Sequence, residues 1–216
     1  MKKIKKAIIS VSDKKNLKFL LKTLSKHKIE IISSGGTFKE IKKLGFKCLE
    51  ISKFTGSKEI LSGRIKTLHP KIHSGILSVR NNKSHTNDLK KNNYEEIDLV
   101  IVNFYPFENT LKITNDHKKI IENIDIGGPT MARSAAKNYN DVTVITNHNQ
   151  YQELSNELKL NKGGTTLDFR KRMSVSAFAE TAYYEAVISN YFNSQSKILF
   201  PKKKIFYGNL IENLRY

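Results

Sequence analysis

Cys48 is the only cysteine in the 216-residue chain, so no intramolecular disulfide can staple it. Neither a CxxC nor an HExxH pattern is present to hold a structural metal. No apolar run reaches the roughly 18 residues that a membrane-spanning helix requires. The opening MKKIKKAIISVSDK sets basic residues before an apolar stretch, as a signal peptide does. That stretch, residues 7–11, is too short, and Asp13 and Lys14 follow at once. These absences point to a cytoplasmic protein free of metal, with residues 7–11 as a first buried strand. No internal repeat or low-complexity tract interrupts the chain.

Acidic residues are also scarce: 20 stand against 38 basic ones, a formal charge of +18. Such an excess raises the question of nucleic acid. Only six of the basic residues are arginine, and the lysines are scattered from Lys2 to Lys204. Base readout relies on clustered arginine with aromatic neighbours, and neither RNP-like nor helix-turn-helix spacing occurs. The expectation is therefore no specific nucleic-acid partner and no membrane partner. The positive field would favour small anionic substrates.

With 38% apolar residues, the chain can bury the core of one domain carrying an appendage. Residues 7–11 form an apolar run, after which Leu17, Leu20, Leu21 and Leu24 recur at helical spacing. Residues 30–33 and 47–51 read as strands, with a helix over 38–44 that Gly45 stops. Residues 99–103, LVIVN, are apolar on both faces, as a strand inside a parallel sheet must be. Gly127-Gly128-Pro129 opens a helix to Asn138, and residues 142–146 make another strand. Alternating strands and helices predict an α/β fold with a mostly parallel sheet over residues 1–150. Residues 150–161 and 167–193 read as helices, a C-terminal helical appendage ending near residue 195. Residues 196–216 have no clear period and read as an extended connector.

Ligands of parallel sheets collect at the carboxyl ends of the strands, so the polar segments that follow strands or open helices converge there. SVSDK (10–14) puts hydroxyls and a cation after the first strand. SSGGT (33–37) offers backbone amides and hydroxyls at a helix start, the chemistry of a phosphate cradle. A Gly-Gly turn with a Ser or Thr cap is the plainer reading of that segment, and it matches neither the Walker A nor the GxGxxG spacing. GRIKTLHP (63–70) carries Arg64, Lys66, Thr67 and His69: either a solvated loop or an anion site. NFYPF (103–107) ends the most buried strand, where Phe104 and Phe107 fill the core or an aromatic ring stacks on a base. In IDIGGPT (124–130), Asp125 either caps a helix or faces a ligand. Lys137 lies further along the same helix, where a lone lysine is usually solvated.

Taken in order and spacing, SVSDK, SSGGT, GRIKTLHP, NFYPF and IDIGGPT resemble the inosinate cyclohydrolase domain of the bifunctional purine-biosynthesis proteins. The resemblance runs from residue 5 to about residue 195. It implies an MGS-like, Rossmann-like fold and closure of the purine ring of formylated aminoimidazole carboxamide ribonucleotide (FAICAR), giving inosine 5′-monophosphate and water. It implies no cofactor, a small nucleotide as partner, and a homodimer.

Carried over by motif, Ser12, Asp13, Lys14, Ser34, Gly35, Gly36 and Thr37 would bind phosphate and ribose. Arg64, Ile65, Lys66 and Thr67 would complete the anion site, and Val102, Asn103, Asp125 and Ile126 would meet the base. Lys66, Tyr105, Asp125 and Lys137 would be catalytic: Lys137 moving a proton at the reacting amide, Lys66 neutralising the formyl oxygen. Asp125 would orient or deprotonate, and Tyr105 would donate a hydrogen bond. Pro129 and Phe104 depart from the residues usual in that family, and neither is a proposed proton carrier. Residues 213–216, NLRY, resemble the start of the formyltransferase domain, which implies a piece of a longer bifunctional protein. The alternatives are a methylglyoxal-synthase-like enzyme or a nucleotide-binding regulatory domain without turnover. The first would share a phosphate site but not carry GRIKTLHP, NFYPF and a lysine after IDIGG; the second would bind inosinate yet leave FAICAR unchanged.

Overall fold

The computed structural model describes residues 1–196, 200–208 and 210–212. A two-residue strand, β1 (Lys2–Lys3), precedes β2 (Lys6–Val11), whose residues are almost all buried. There follow α1 (Leu17–Lys26), β3 (Glu30–Ser33), α2 (Gly35–Lys43), β4 (Leu49–Glu50) and α3 (Ile51–Thr55). Next come α4 (Pro70–Leu77), α5 (Lys83–Lys91), β5 (Leu99–Asn103), α6 (Phe107–Ile113) and α7 (His117–Glu122). The chain continues through α8 (Gly127–Lys137), β6 (Thr143–Ile145), α9 (Tyr151–Leu160), β7 (Gly164–Thr165) and α10 (Leu167–Gln195).

Five strands form one parallel sheet in the order β4-β3-β2-β5-β6. In chain order this is 3-2-1-4-5: the chain builds outward from β2, then returns to lay β5 on its other side. The crossover leaves a crevice beyond the carboxyl ends of β2 and β5, where open α/β sheets bind ligands. Pairing of Ile8 with both Ile32 and Val100 fixes the register, so Val11, Ser33 and Asn103 end their strands close together. β1 and β7 make a separate antiparallel pair.

The α/β class and the parallel sheet are as the sequence implied. Several boundaries differ for physical reasons. The helix expected over 38–44 starts at Gly35, because extended Ser34 (φ −134°, ψ 165°) lets the glycines form the first turn. Glycine is poor inside a helix but costs little in a turn whose N–H groups are free anyway. The strand expected over 47–51 shrinks to Leu49–Glu50, and Ile51 instead opens α3, burying itself with Phe54 one turn later. Helices α3 to α7 were not foreseen. Each is short, and three have side-chain caps: His69 Nδ1 accepts the Lys71 N–H at the start of α4, Asn82 accepts from Ser84 and His85 at the start of α5, and Asp116 accepts from Lys118 and Lys119 at the start of α7. Residues 213–216, read as the beginning of a further domain, lie outside the described residues.

Two apolar cores result. The main one lies on both sides of the sheet, from Ile8 and Ile101 to α1, α8, α9 and the first half of α10. The second gathers Phe107, Ile120, Tyr184, Val187 and Ile188 between α6, α7 and the later part of α10. The 29 residues of α10 thus connect the sheet to the segment after β5.

Arg170 anchors this helix. It is 2% exposed, and its guanidinium donates to the carbonyls of Tyr139, Asn140 and Thr165. Truncation strips buried carbonyls of charged donors. Arg170→Ala is expected to cost about 3 kcal/mol of stability, read as a lower urea midpoint at unchanged m-value.

Candidate active site

A cleft of about 600 Å³ opens at the crevice between β2 and β5. The starts of α2 and α8 both line it, so two helix N-termini face the same space. Each leaves backbone N–H groups without intrahelical partners and adds positive potential. Ser12, Lys14, Ser34, Gly35, Gly36, Thr37, Arg64, Lys66, Thr67, Asn103, Tyr105, Asp125 and Ile126 all line this one space. Asp13, Ile65, Val102 and Lys137 do not.

At the α2 end the chain builds an anion cradle. Gly35 has φ +52°, and a Cβ there would lie 3.1 Å from the Lys66 ammonium, so the glycine admits both the turn and the lysine. Lys14 Nζ lies 4.0 Å from a Cβ position on Gly36 and reaches the Ser12 carbonyl at 3.3 Å. Lys66 also faces Glu59 at 3.5 Å. Arg64 pairs with Glu122 of α7 at the mouth, two exposed groups whose pairing adds little stability.

Two residues expected to touch ligand have their polar atoms engaged in holding the first loop. Thr37 Oγ1 accepts the Val11 N–H at 3.0 Å and donates to the Val11 carbonyl at 2.9 Å. Asn103 Oδ1 accepts from the N–H groups of Ser12 (2.6 Å) and Asp13 (3.0 Å), while its Nδ2 donates to the Asp13 carbonyl at 2.9 Å. SVSDK is therefore clamped by α2 on one side and by the end of β5 on the other. Asn103 also lines the cleft, with its Oδ1 and one of its two Nδ2 hydrogens holding the loop and the second N–H left over.

At the other end, Asp125 sits where the chain enters α8. Its Oδ1 accepts the Gly128 N–H at 2.8 Å, so the helix-cap reading holds, yet the carboxylate still lines the cleft. Burial pushes its pKa up, against the downward pull of the Gly128, Tyr105 and Gly127 N–H groups. Tyr105 is half-exposed beside it. Thr67 and Gly127 touch closely: a Cβ on Gly127 would come within 2.3 Å of Thr67 Oγ1. That contact ties the GRIKTLHP loop to the start of α8.

The four remaining residues lie elsewhere in the fold. The Asp13 carboxylate points away, accepting from Lys15 N–H at 2.8 Å and facing His148 Nδ1 at 3.3 Å. It lines a second, smaller cleft of about 260 Å³ that Asn103 and Tyr105 separate from the first. Val102 is 1% exposed, its side chain packed in the core. Ile65 pairs with Ile60 in an isolated bridge on the outer side of the loop. Lys137 is exposed at the last residue of α8, ten residues or about 15 Å of helix from Gly127. His69, the helix cap, contacts Ser57 and not the cleft. Reasoning on sequence missed Glu122 and Ile121, which α7 brings to the mouth.

A helix-start cradle of cations and backbone N–H groups, facing a part-buried carboxylate across the switch point of a 3-2-1-4-5 parallel sheet, defines an α/β domain with a site suited to a small anionic ligand. A family model for the MGS-like domain matches residues 16–130, and the chain belongs to that family. A second model, AICARFT/IMPCHase bienzyme, matches residues 135–216. The chain is 46% identical over 215 residues to the "Bifunctional purine biosynthesis protein PurH" of Bradyrhizobium diazoefficiens, covering 100% of this chain and 41% of that protein. It is 43% identical over 213 residues to the protein of the same name from Rhizobium rhizogenes, covering 99% and 40%. The chain thus spans about two fifths of the length of these curated relatives. A solved structure titled "Crystal structure of ForH" aligns with a TM-score of 0.78 at 27% identity, over 88% of this chain and 99% of that one.

Proposed function

We propose that this chain is a cytoplasmic inosinate cyclohydrolase of purine biosynthesis, converting FAICAR to inosine 5′-monophosphate and water. The observation that carries the reading is one cleft with two unlike ends: cationic at α2, with a carboxylate and a phenol at α8. A nucleotide fits such a space with its phosphate at the first end and its reacting base at the second.

The carboxamide nitrogen attacks the formyl carbon, forming the N–C bond that closes the ring. The formyl oxygen becomes a hydroxyl and leaves as water. It takes one proton from the carboxamide and one from the formamide nitrogen, so atoms balance without a cofactor. An amide is a poor nucleophile and a formamide a poor electrophile. Holding the two in contact is therefore the first contribution of the cleft. Asp125 accepts the proton from the attacking nitrogen; burial raises its pKa and makes it a stronger base than a solvated carboxylate. Lys66 offsets charge developing on the formyl oxygen, and the Tyr105 hydroxyl donates to it. Lys14 and the α2 amides hold the phosphate.

Lys137 cannot reach the cleft of its own chain. Its catalytic assignment requires a second copy, which agrees with a homodimer as the working form. The methylglyoxal-synthase-like alternative is less well supported, because a triose phosphate held in the cradle leaves the Tyr105–Asp125 end of the cleft empty. The test compares substrates: the purified chain is expected to turn FAICAR into inosinate and to release no methylglyoxal from dihydroxyacetone phosphate. The reverse pattern would overturn the reading. Inosinate binding without any turnover would support the regulatory-domain alternative.

A further inference from the structure

We propose that Tyr184 of α10 is the positioning residue that holds Asp125 in the site, an inference that rests on the ring-closing function above. The two residues are 59 positions apart, and nothing in the local sequence joins them. The Tyr184 hydroxyl accepts the backbone N–H of Asp125 at 2.8 Å and donates to the carbonyl of Asn123 at 3.2 Å. One oxygen therefore brackets the turn that delivers the carboxylate. The same ring stands 5.1 Å from Phe104 and 6.3 Å from Phe107, the residues on either side of the Tyr105–Pro106 step. The hydroxyl registers the Asp125 segment while the ring registers the Tyr105 segment. A single side chain thus sets the spacing between the two groups at the reacting end.

Tyr184 is 7% exposed, and burial pushes its phenol up to about 12, so it remains a neutral donor wherever the enzyme works. No described atom of Tyr184 lines the main cleft, which separates it from groups that touch substrate. Removing only its oxygen leaves the Asp125 N–H and the Asn123 carbonyl without this partner, and the turn relaxes. Misplacement of a reacting group by a fraction of an ångström is costly to the rate and indifferent to phosphate binding.

Tyr184→Phe is expected to lower kcat by about tenfold while KM for FAICAR stays within about twofold. Tyr191→Phe removes another hydroxyl of the same helix, one bonded to His117 Nδ1 at 2.7 Å, and is expected to keep kcat within about twofold of the parent. A second readout needs no turnover: the Asp125 carboxyl followed by carbon NMR across pH. Loosening the turn admits water, so its titration in Tyr184→Phe is expected to move down toward the ordinary carboxylate range. An unchanged kcat, an unchanged Asp125 titration, or equal losses in kcat and inosinate affinity would each overturn the proposal. Failure of the unmodified chain to close FAICAR would instead overturn the functional reading. The NMR titration would then decide the Tyr184 role alone.

Discussion

Asp125→Asn is expected to lower kcat for ring closure by about 10³-fold, with inosinate affinity changed by less than about threefold. The substitution is nearly isosteric, and the side-chain carbonyl still accepts the Gly128 N–H that caps α8. The fold should therefore be retained while the proton acceptor is lost. The pH profile carries the same information. Burial places the Asp125 pKa above the ordinary carboxylate value, because the charged form is the one that desolvation penalises. As pH falls through that raised value, the carboxylate takes up a proton and activity declines. The acid limb of the unmodified protein should accordingly lie above the ordinary carboxylate range. The residual rate of Asp125→Asn should show no such limb.

Lys66→Met is expected to reduce kcat/KM by about 10⁴-fold, since it removes the cation proposed to offset charge on the formyl oxygen. Its ammonium lies against Gly35 and faces Glu59, so the proposed step needs this flexible side chain to turn toward the formyl oxygen once the nucleotide is bound. Most of the loss should fall on kcat, with KM rising about tenfold. Mixing this variant with Lys137→Ala tests the two-copy arrangement. If Lys137 enters the partner's cleft, one site of each hybrid pair is complete, and up to about a quarter of the activity returns in a two-fold symmetric dimer. No recovery on mixing would confine catalysis to a single chain and remove Lys137 from it.

How much of this was legible in the chain differs by element. β2 and β5 are continuous apolar runs because parallel strands bury both faces, and such runs are hard to mistake. The convergence of SSGGT and IDIGGPT also followed from the rule that sheet ligands gather at strand carboxyl ends. Helices α3 to α7 did not, because each is five to nine residues long and buries only one to three side chains. Their burial comes from the rest of the fold, which no local window contains.

The site divides in the same way. Lys14, Lys66 and Asp125 are correctly placed by motif position alone. Asn103 and Thr37 lie in the right place, but the residue type does not reveal that their polar atoms bind the backbone of the neighbouring loop. Asp13 lines the neighbouring cleft instead, because a residue after a strand can turn either way and its carboxylate faces His148. Lys137 shares a helix with the start of the site, and only the rise of that helix shows the distance between them. Tyr184 had no signal at all. Its link to Asp125 exists only because α10 folds back across α6 and α7.

The most direct test of the account is the absorbance change for inosinate formation from FAICAR, followed with the unmodified chain and with Asp125→Asn under identical conditions. The account predicts closure by the unmodified chain at about 10³ times the rate of the variant. Equal rates in the two proteins, both matching spontaneous closure, would contradict it.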